Sequence, residues 1–185
     1  SSFGGVLFPA MGNHECTGPS TSNCATNITN NMQADREHRI TPRGRTKPYY
    51  AIHVDNTHEK WTAKFLIVAC NAWSPAQKTW LQNQLEKPTT YTFVARHEPR
   101  GTDAPCGADM DALLANHPYT MLLVGHVHTY SHSGKQLVEG LGGAPVTGSG
   151  VHGYATIEQL PNGTFRVTQY SAATGQPVSH YTLTP

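Results

Sequence analysis

The chain alternates short apolar runs with polar segments, a pattern that predicts an α/β protein. Apolar runs that predict strands occupy residues 6–11, 49–54, 63–69, 90–95 and 119–124. Ser74 and Pro75 predict the start of a helix, because Ser is a preferred N-cap and Pro suits the first helical position. Gln77 is placed to complete a capping box, and apolar residues follow at helical spacing up to Leu85. A second short helix is expected over residues 108–116, with Asp109 in its first turn.

The last third of the chain has a different pattern. Residues 154–160 and 164–170 alternate apolar and polar positions around Pro161-Asn162-Gly163, which is typical of a hairpin. Residues 178–183 predict an additional edge strand. Strands and helices early in the chain, followed by hairpins, indicate a mixed sheet with an antiparallel extension.

Composition narrows the classes of partner. Charged residues make up 14% of the chain and the formal net charge is +1, so nothing favours nucleic acid or an anionic membrane. No apolar run approaches the ~20 residues that span a bilayer.

The four cysteines suggest the pairs Cys16–Cys24 and Cys70–Cys106, although four cysteines allow three connectivities. Low charge with paired cysteines favours an oxidising, extracellular setting, so we expect a secreted protein.

Three of the apolar runs end in residues that can bind ligands. The first leads into Gly12-Asn13-His14-Glu15, another into His97-Glu98, and a third into Gly125-His126-Val127-His128. Ligands of open α/β sheets bind beyond the carboxyl ends of the strands, so these side chains could converge on one site. If residues 126–128 are extended, His126 and His128 point the same way about 6.6 Å apart. That separation suits two metal ions ~3.5–4 Å apart, each bound by one imidazole.

Simpler explanations exist for each motif alone. Asn after Gly is often a turn residue, and His126 and His128 could be ordinary loop histidines. A single-zinc hydrolase built from His97, His126 and His128 is a further alternative. It leaves Asn13 and His14 without a role, and we rank it last.

Together, Gly12-Asn13-His14-Glu15, His97 and Gly125-His126-Val127-His128 resemble the last three motifs of the calcineurin-like metallophosphoesterases. Gln77, Trp80 and Leu81 match that family's helix pattern, and "GNHE" and "GHVHTY" are similar to the purple acid phosphatase branch. That branch usually has Arg at the position of His132. The resemblance implies an αββα sandwich with mixed sheets, forming a single domain over residues 1–185 that is incomplete at its N-terminus.

The resemblance also implies roles for individual residues. Asn13, His97 and His126 would bind one metal ion and His128 a second, both divalent or trivalent ions of Mn, Fe or Zn. His14 would contact the phosphoryl group as a general acid or charge stabiliser. A hydroxide between the ions would attack phosphorus in line, so the implied activity is hydrolysis of small phosphate mono- or diesters.

Two motifs of that family, Asp-x-His and Gly-Asp-x-x, do not occur in the sequence. The proposed ligands are all neutral, whereas two dications 3.5 Å apart repel by roughly 20 kcal/mol at an effective dielectric of 20. We therefore expect this chain to be the carboxy-terminal part of a longer polypeptide, with the aspartates upstream or on a separate chain. Alone it would bind fewer ions, and Glu15 and Glu98 would orient imidazoles. The alternative is a non-catalytic phosphate- or metal-binding module of the same fold.

Overall fold

The computed structural model describes residues 8–15, 47–146 and 150–185. Its strands are β1 (Tyr50–Asn56), β2 (Trp61–Ile67), β3 (Tyr91–Ala95), β4 (Met121–Val124), β5 (Tyr130–Ser133), β6 (Gln136–Glu139), β7 (Gly153–Gln159), β8 (Phe165–Ser171) and β9 (Pro177–Leu183). The α-helices are α1 (Pro75–Leu85) and α2 (Gly107–Asn116), and short 3-10 helices cover Asn13–Glu15 and Cys70–Ala72. Within these ranges, no helix is long and apolar enough to cross a membrane.

Six strands form a mixed sheet in the order β1-β2-β3-β4-β6-β5. Strands β2, β3, β4 and β6 are parallel, while β1 and β5 pair antiparallel at the two edges. The α/β class and the mixed sheet are therefore as predicted. The carboxyl ends of the four parallel strands meet at one edge of the sheet, and each is followed by residues discussed below.

The two faces of the mixed sheet are covered differently because successive strand residues point to opposite sides. Leu66, Val94 and Leu122 pack against α1 and α2, whereas Phe93 and Met121 pack against β8 and β9. Full burial of one such side chain stabilises the fold by about 1.5–3 kcal/mol. The described residues thus form three layers, and they include no second helical layer of the expected αββα sandwich.

Strands β7, β8 and β9 form a separate antiparallel sheet. The predicted hairpin and additional edge strand are confirmed as β7, β8 and β9, but these strands do not extend the mixed sheet. The apolar side chains of β8 explain the difference: Phe165 and Val167 are buried against the face of the mixed sheet, so the hairpin stacks on that sheet instead of pairing with its edge.

The predicted first strand is also wrong in its described part. Residues 8–12 form no strand, and residues 6 and 7 lie outside the described range. Met11 is buried against Tyr50, Ile67 and Ala69. The Tyr50 hydroxyl donates to the carbonyl of Pro9 at 2.8 Å. This segment is apolar because it packs over the end of the sheet, not because it pairs within it.

Helix α1 begins as predicted, since Ser74 Oγ accepts a hydrogen bond from the Gln77 amide at 3.2 Å. The expected capping box does not form. The Gln77 side chain is fully buried and turns towards the segment after β2, where it accepts from the amide of Ala69 and donates to the carbonyls of Ala69 and Ala72. Gln77 thereby supports the turn that follows β2.

The Cys70–Cys106 disulfide is present and joins that turn to the start of α2. The other predicted pair, Cys16–Cys24, lies outside the described residues. The hairpin formed by β5 and β6 was not predicted. It turns through Gly134 and Lys135, with Gly134 at a φ of 54°, and it carries a site residue.

Candidate metal centre

Gly12 and His97 are in close contact. An ideal Cβ placed on Gly12 would lie 2.5 Å from Cγ of His97, nearer than any real Cβ contact. Only glycine can occupy this position while the imidazole keeps its place. The Gly of the Gly-Asn-His motif therefore allows the chain to approach the ring closely, next to Asn13, whose side chain contacts His97 Nε2.

Three predicted ligand atoms form a small triangle. Asn13 Oδ1 lies 2.9 Å from His97 Nε2 and 3.2 Å from His126 Nδ1, and the two nitrogens are 3.3 Å apart. Ligands at ~2.1 Å from one ion are separated by about 3.0 Å in octahedral and about 3.4 Å in tetrahedral geometry. The donor atoms are thus spaced as neighbours on a single metal ion would be.

His126 reaches this position through an unusual backbone. Its φ is 65°, a region that non-glycine residues rarely adopt. The amide of Val127 donates to the carbonyl of Gly125, and the amide of Thr129 to that of Val127, each at 2.7 Å. The extended conformation expected for residues 126–128 was therefore wrong: the segment folds through successive tight turns. Left-handed residues of this kind are enriched at functional sites, where the surrounding structure must hold them.

His128 and His14 lie on the same cavity as the triangle. The cavity has a volume of about 550 Å³, and its walls include His14, His97, His126, His128 and Glu139. His128 Nδ1 lies 2.8 Å from the carbonyl oxygen of Pro145, which can only accept a hydrogen bond. In a neutral imidazole Nδ1 then carries the proton and Nε2 keeps its lone pair, the tautomer suited to binding a metal. His14 is exposed at this cavity.

Glu98 is a buried carboxylate next to the triangle. Oε1 accepts a hydrogen bond from the Asn71 side chain at 2.5 Å, and the side chain is 4% exposed. Ligand atoms of His97, Glu98 and His126 all lie within 4.8 Å of one another. The carboxylate thus adds a hard anionic oxygen to the amide and imidazole donors. The role predicted for Glu98 and Glu15 was to orient imidazoles, and for Glu98 this stays a prediction. The side chain of Glu15 lies outside the described part of the chain.

Arg96 connects the segment that carries His97 and Glu98 to α2. Its side chain is buried, Nε donates to the backbone carbonyl of Glu98 at 2.8 Å, and Nη2 lies 3.3 Å from Asp111 Oδ1. The contact with Asp111 is at ion-pair distance without hydrogen-bond geometry. Burial lowers the pKa of Arg96, which the charge of Asp111 opposes. The guanidinium holds the segment after β3 in one conformation.

Sequence reasoning missed Glu139, which ends β6 and lines the cavity. Its Oε1 accepts from the amide of Leu141 at 3.1 Å, while its buried Oε2 has no hydrogen-bond partner among the described residues. Burial raises the pKa of Glu139. The turn at Gly134-Lys135 was the available signal, because a two-residue Gly-X turn predicts a hairpin that ends beside the His126 loop.

A comparison with solved structures finds a phosphatase fold. A purple acid phosphatase isolated from yellow lupin (Lupinus luteus) seeds superposes with a TM-score of 0.62 over 94% of this chain, at 14% sequence identity. The chain spans 39% of the length of that neighbour. No protein-family model matches the chain, and no curated protein matches it at a significant level. At this identity the likeness shows a purple acid phosphatase-like fold and no more.

The donor set of amide oxygen and imidazole nitrogens suits a transition metal ion. The structure brings Asn13, His97 and His126 together and places His14 and His128 on the same cavity. The roles assigned to these five residues, as metal ligands or as a general acid, stay predictions.

Proposed function

We propose that this chain carries the metal-binding and phosphate-binding residues of a metallophosphoesterase that hydrolyses small phosphate mono- or diesters. The observation that carries the proposal is the triangle of Asn13 Oδ1, His97 Nε2 and His126 Nδ1, with sides of 2.9, 3.2 and 3.3 Å. The purple acid phosphatase-like fold supports the same class of reaction.

Hydrogen bonding alone is a weaker account of the triangle. Each imidazole could donate a proton to the amide oxygen of Asn13, which explains two of its sides. The third side would then place two protonated nitrogens 3.3 Å apart, a repulsive contact. A cation bound by all three atoms removes that conflict, because each nitrogen then offers a lone pair.

In this proposal the first ion is bound by Asn13, His97 and His126 and a second by His128. Bound there, such ions would supply Lewis acidity towards phosphoryl oxygens and a lowered pKa for water. His14, exposed at the cavity, would donate a proton or a hydrogen bond to a phosphoryl or leaving-group oxygen. The cavity of about 550 Å³ is large enough for a small phosphate ester.

The proposal includes a contribution from outside this sequence. Two adjacent dications need anionic ligands, and the aspartate motifs of the resembling family do not occur here. We propose that an upstream segment or a separate chain supplies those carboxylates, and that this chain alone binds fewer ions and turns over weakly. The disulfide supports a secreted location, because such bonds persist in oxidising compartments.

The test is metal content by elemental analysis and p-nitrophenyl phosphate hydrolysis, measured on the same preparation. We expect His97→Ala and His126→Ala to remove the bound metal and any turnover while the circular dichroism spectrum is retained. His180→Ala, an exposed histidine on β9, is the matched control and should change neither quantity. Metal content and turnover retained in both site variants would reject the proposal. Two bound ions with full activity in the unmodified chain would reject the need for additional carboxylates.

A further inference from the structure

We infer that Glu98 is a direct ligand of the candidate metal centre, binding through Oε2, and that Asn71 is the positioning residue that holds it there. The inference rests on the proposed function, because it concerns the same centre. The donors Asn13, His97 and His126 are all neutral. With Glu98 as a ligand, a residue of this chain supplies the negative charge that they lack.

The first support is the state of the two carboxylate oxygens of Glu98. Oε1 is held by the Asn71 amide at 2.5 Å, while Oε2 is buried and makes no hydrogen bond to any described residue. A buried carboxylate oxygen without a donor is unfavourable, and the charge of Arg96 acts on Glu98 without giving this oxygen a hydrogen bond, so its lost hydration lacks local compensation. A cation at the triangle would supply that compensation.

The second support is where that carboxylate lies. One of its carboxylate oxygens and the ligand nitrogens of His97 and His126 are all within 4.8 Å of one another. Two ligands on opposite sides of one ion are about 4.2 Å apart, twice a metal–ligand distance of ~2.1 Å. The carboxylate therefore lies close to the spacing needed for a set of two imidazoles and one carboxylate, a ligand combination used by catalytic zinc sites.

The third support is that Arg96, the nearest buried cation in the sequence, is directed elsewhere. Arg96 Nε donates to the backbone carbonyl of Glu98, and Nη2 is directed towards Asp111. The guanidinium therefore fixes the backbone of Glu98 without hydrogen bonding to its carboxylate. Asn71 is itself fixed by its neighbour Cys70, whose disulfide joins this turn to α2. Asn71 thus holds Oε1 of the carboxylate and Arg96 holds the backbone of Glu98, while Oε2 makes no hydrogen bond to the described residues.

The test is Glu98→Gln in the full chain, with Glu158→Gln as control. The glutamine has nearly the same shape and keeps an oxygen for Asn71, but it removes the charge. Glu158 is an exposed carboxylate on β7, paired with Arg166 at 3.6 Å. Zn²⁺ affinity is measured by calorimetry, and the environment of bound Co²⁺ by its visible absorption spectrum.

We expect Glu98→Gln to weaken Zn²⁺ binding by on the order of 100-fold and to change the Co²⁺ spectrum at saturation. Without metal, its melting temperature should equal or exceed that of the unmodified protein, because a buried carboxylate oxygen that lacks a hydrogen-bond donor has been replaced by a neutral amide. Glu158→Gln should leave affinity and spectrum unchanged. Asn71→Ala should weaken Zn²⁺ binding less than Glu98→Gln does, and it should keep the spectrum of a bound carboxylate.

An unchanged Co²⁺ spectrum at saturation in Glu98→Gln would overturn direct coordination, even if affinity falls. A lower melting temperature of metal-free Glu98→Gln together with unchanged Zn²⁺ affinity would assign Glu98 a structural role instead. These outcomes differ from failure of the proposed function, which would appear as His97→Ala and His126→Ala binding Zn²⁺ as tightly as the unmodified chain. If the unmodified chain binds neither Zn²⁺ nor Co²⁺, both proposals fail.

Discussion

The imidazole of His97 packs so closely against Gly12 that a methyl group in place of a glycine hydrogen would be 2.5 Å from the ring. This contact couples the segment before Asn13 to the strand end that carries His97. The distance between Asn13 Oδ1 and His97 Nε2 therefore depends on residue 12 having no side chain.

Gly12→Ala should displace His97 and widen the triangle. We expect a loss of about 1–3 kcal/mol in the free energy of unfolding, typical of overpacking. Zn²⁺ affinity should fall at least tenfold because the three donor atoms would no longer be spaced to bind the same ion. Urea unfolding and calorimetry measure the two effects. Gly142→Ala is the control, since none of the described atoms lies within 4 Å of its added methyl group. Equal Zn²⁺ affinity in both variants would contradict the close-contact account.

The left-handed backbone of His126 gives a second prediction. An L-residue in this conformation costs roughly 1–2 kcal/mol, whereas glycine adopts it freely. We expect His126→Gly to be more stable than His126→Ala by about 1 kcal/mol, although both remove the same imidazole and both lose metal affinity. Chemical denaturation of the two metal-free variants checks this. If His126→Ala were as stable as His126→Gly, the positive φ of residue 126 would not be a strained feature of the folded protein.

The Cys70–Cys106 disulfide should matter for both stability and the centre. It closes a loop with a sequence separation of 36, for which chain-entropy arguments give about 4 kcal/mol of stabilisation. The double variant Cys70→Ser/Cys106→Ser should be destabilised by up to that amount. It should also bind Zn²⁺ more weakly, because the turn that carries Asn71 loses its link to α2. If the double variant and the reduced protein unfolded at the same temperature as the oxidised, unmodified protein, the other bonds in this region would already fix the turn.

Asp109 gives a prediction about acid stability. It accepts hydrogen bonds from Lys78 Nζ at 2.6 Å and Trp73 Nε1 at 3.0 Å, joining α1 to α2. The Lys78 bond first, and the Trp73 bond second, hold the pKa of Asp109 below its ordinary value of 3.8. Because the folded-state pKa is the lower one, this stabilisation is complete above about pH 4 and is lost as the pH falls through the folded pKa.

Asp109→Asn should therefore lower the melting temperature at pH 7, and the difference from the unmodified protein should shrink as the pH falls below about 4. Asp103→Asn, in the loop before α2, controls for the loss of one negative charge. The relevant measurement is thermal unfolding across this pH range. A difference that stayed constant from pH 7 to pH 3 would contradict the assignment to the ionised carboxylate.

Much of the fold was predictable from local signals. Ser74-Pro75 identified the start of α1, and Pro161-Asn162-Gly163 identified the turn between β7 and β8, because both depend on residues adjacent in sequence. The grouping of His97 and His126 was predictable because parallel strands end at one edge of a sheet. The position of Asn13 beside these histidines was expected from a strand end, but its segment packs over the end of the sheet and is not a strand.

The features that were missed depend on distant parts of the chain. Gln77 fits a capping box locally, yet the buried backbone of Ala69 and Ala72 provides its actual partners. The position of the Glu98 carboxylate is set by Asn71, which is 27 residues away. The turned segment after His126 lies directly against the end of β6, since a methyl on Gly140 would be 1.9 Å from the Val127 carbonyl oxygen. None of these relationships has a local sequence signal.

The central claim is that Asn13, His97 and His126 bind one metal ion. Its most direct test is the position of an anomalous-scattering peak in crystals of this chain grown with Mn²⁺ or Zn²⁺. We predict a peak about 2.1 Å from Asn13 Oδ1, His97 Nε2 and His126 Nδ1. A crystal that shows those three atoms still within about 3.3 Å of one another, but with the ion bound elsewhere, would contradict the account.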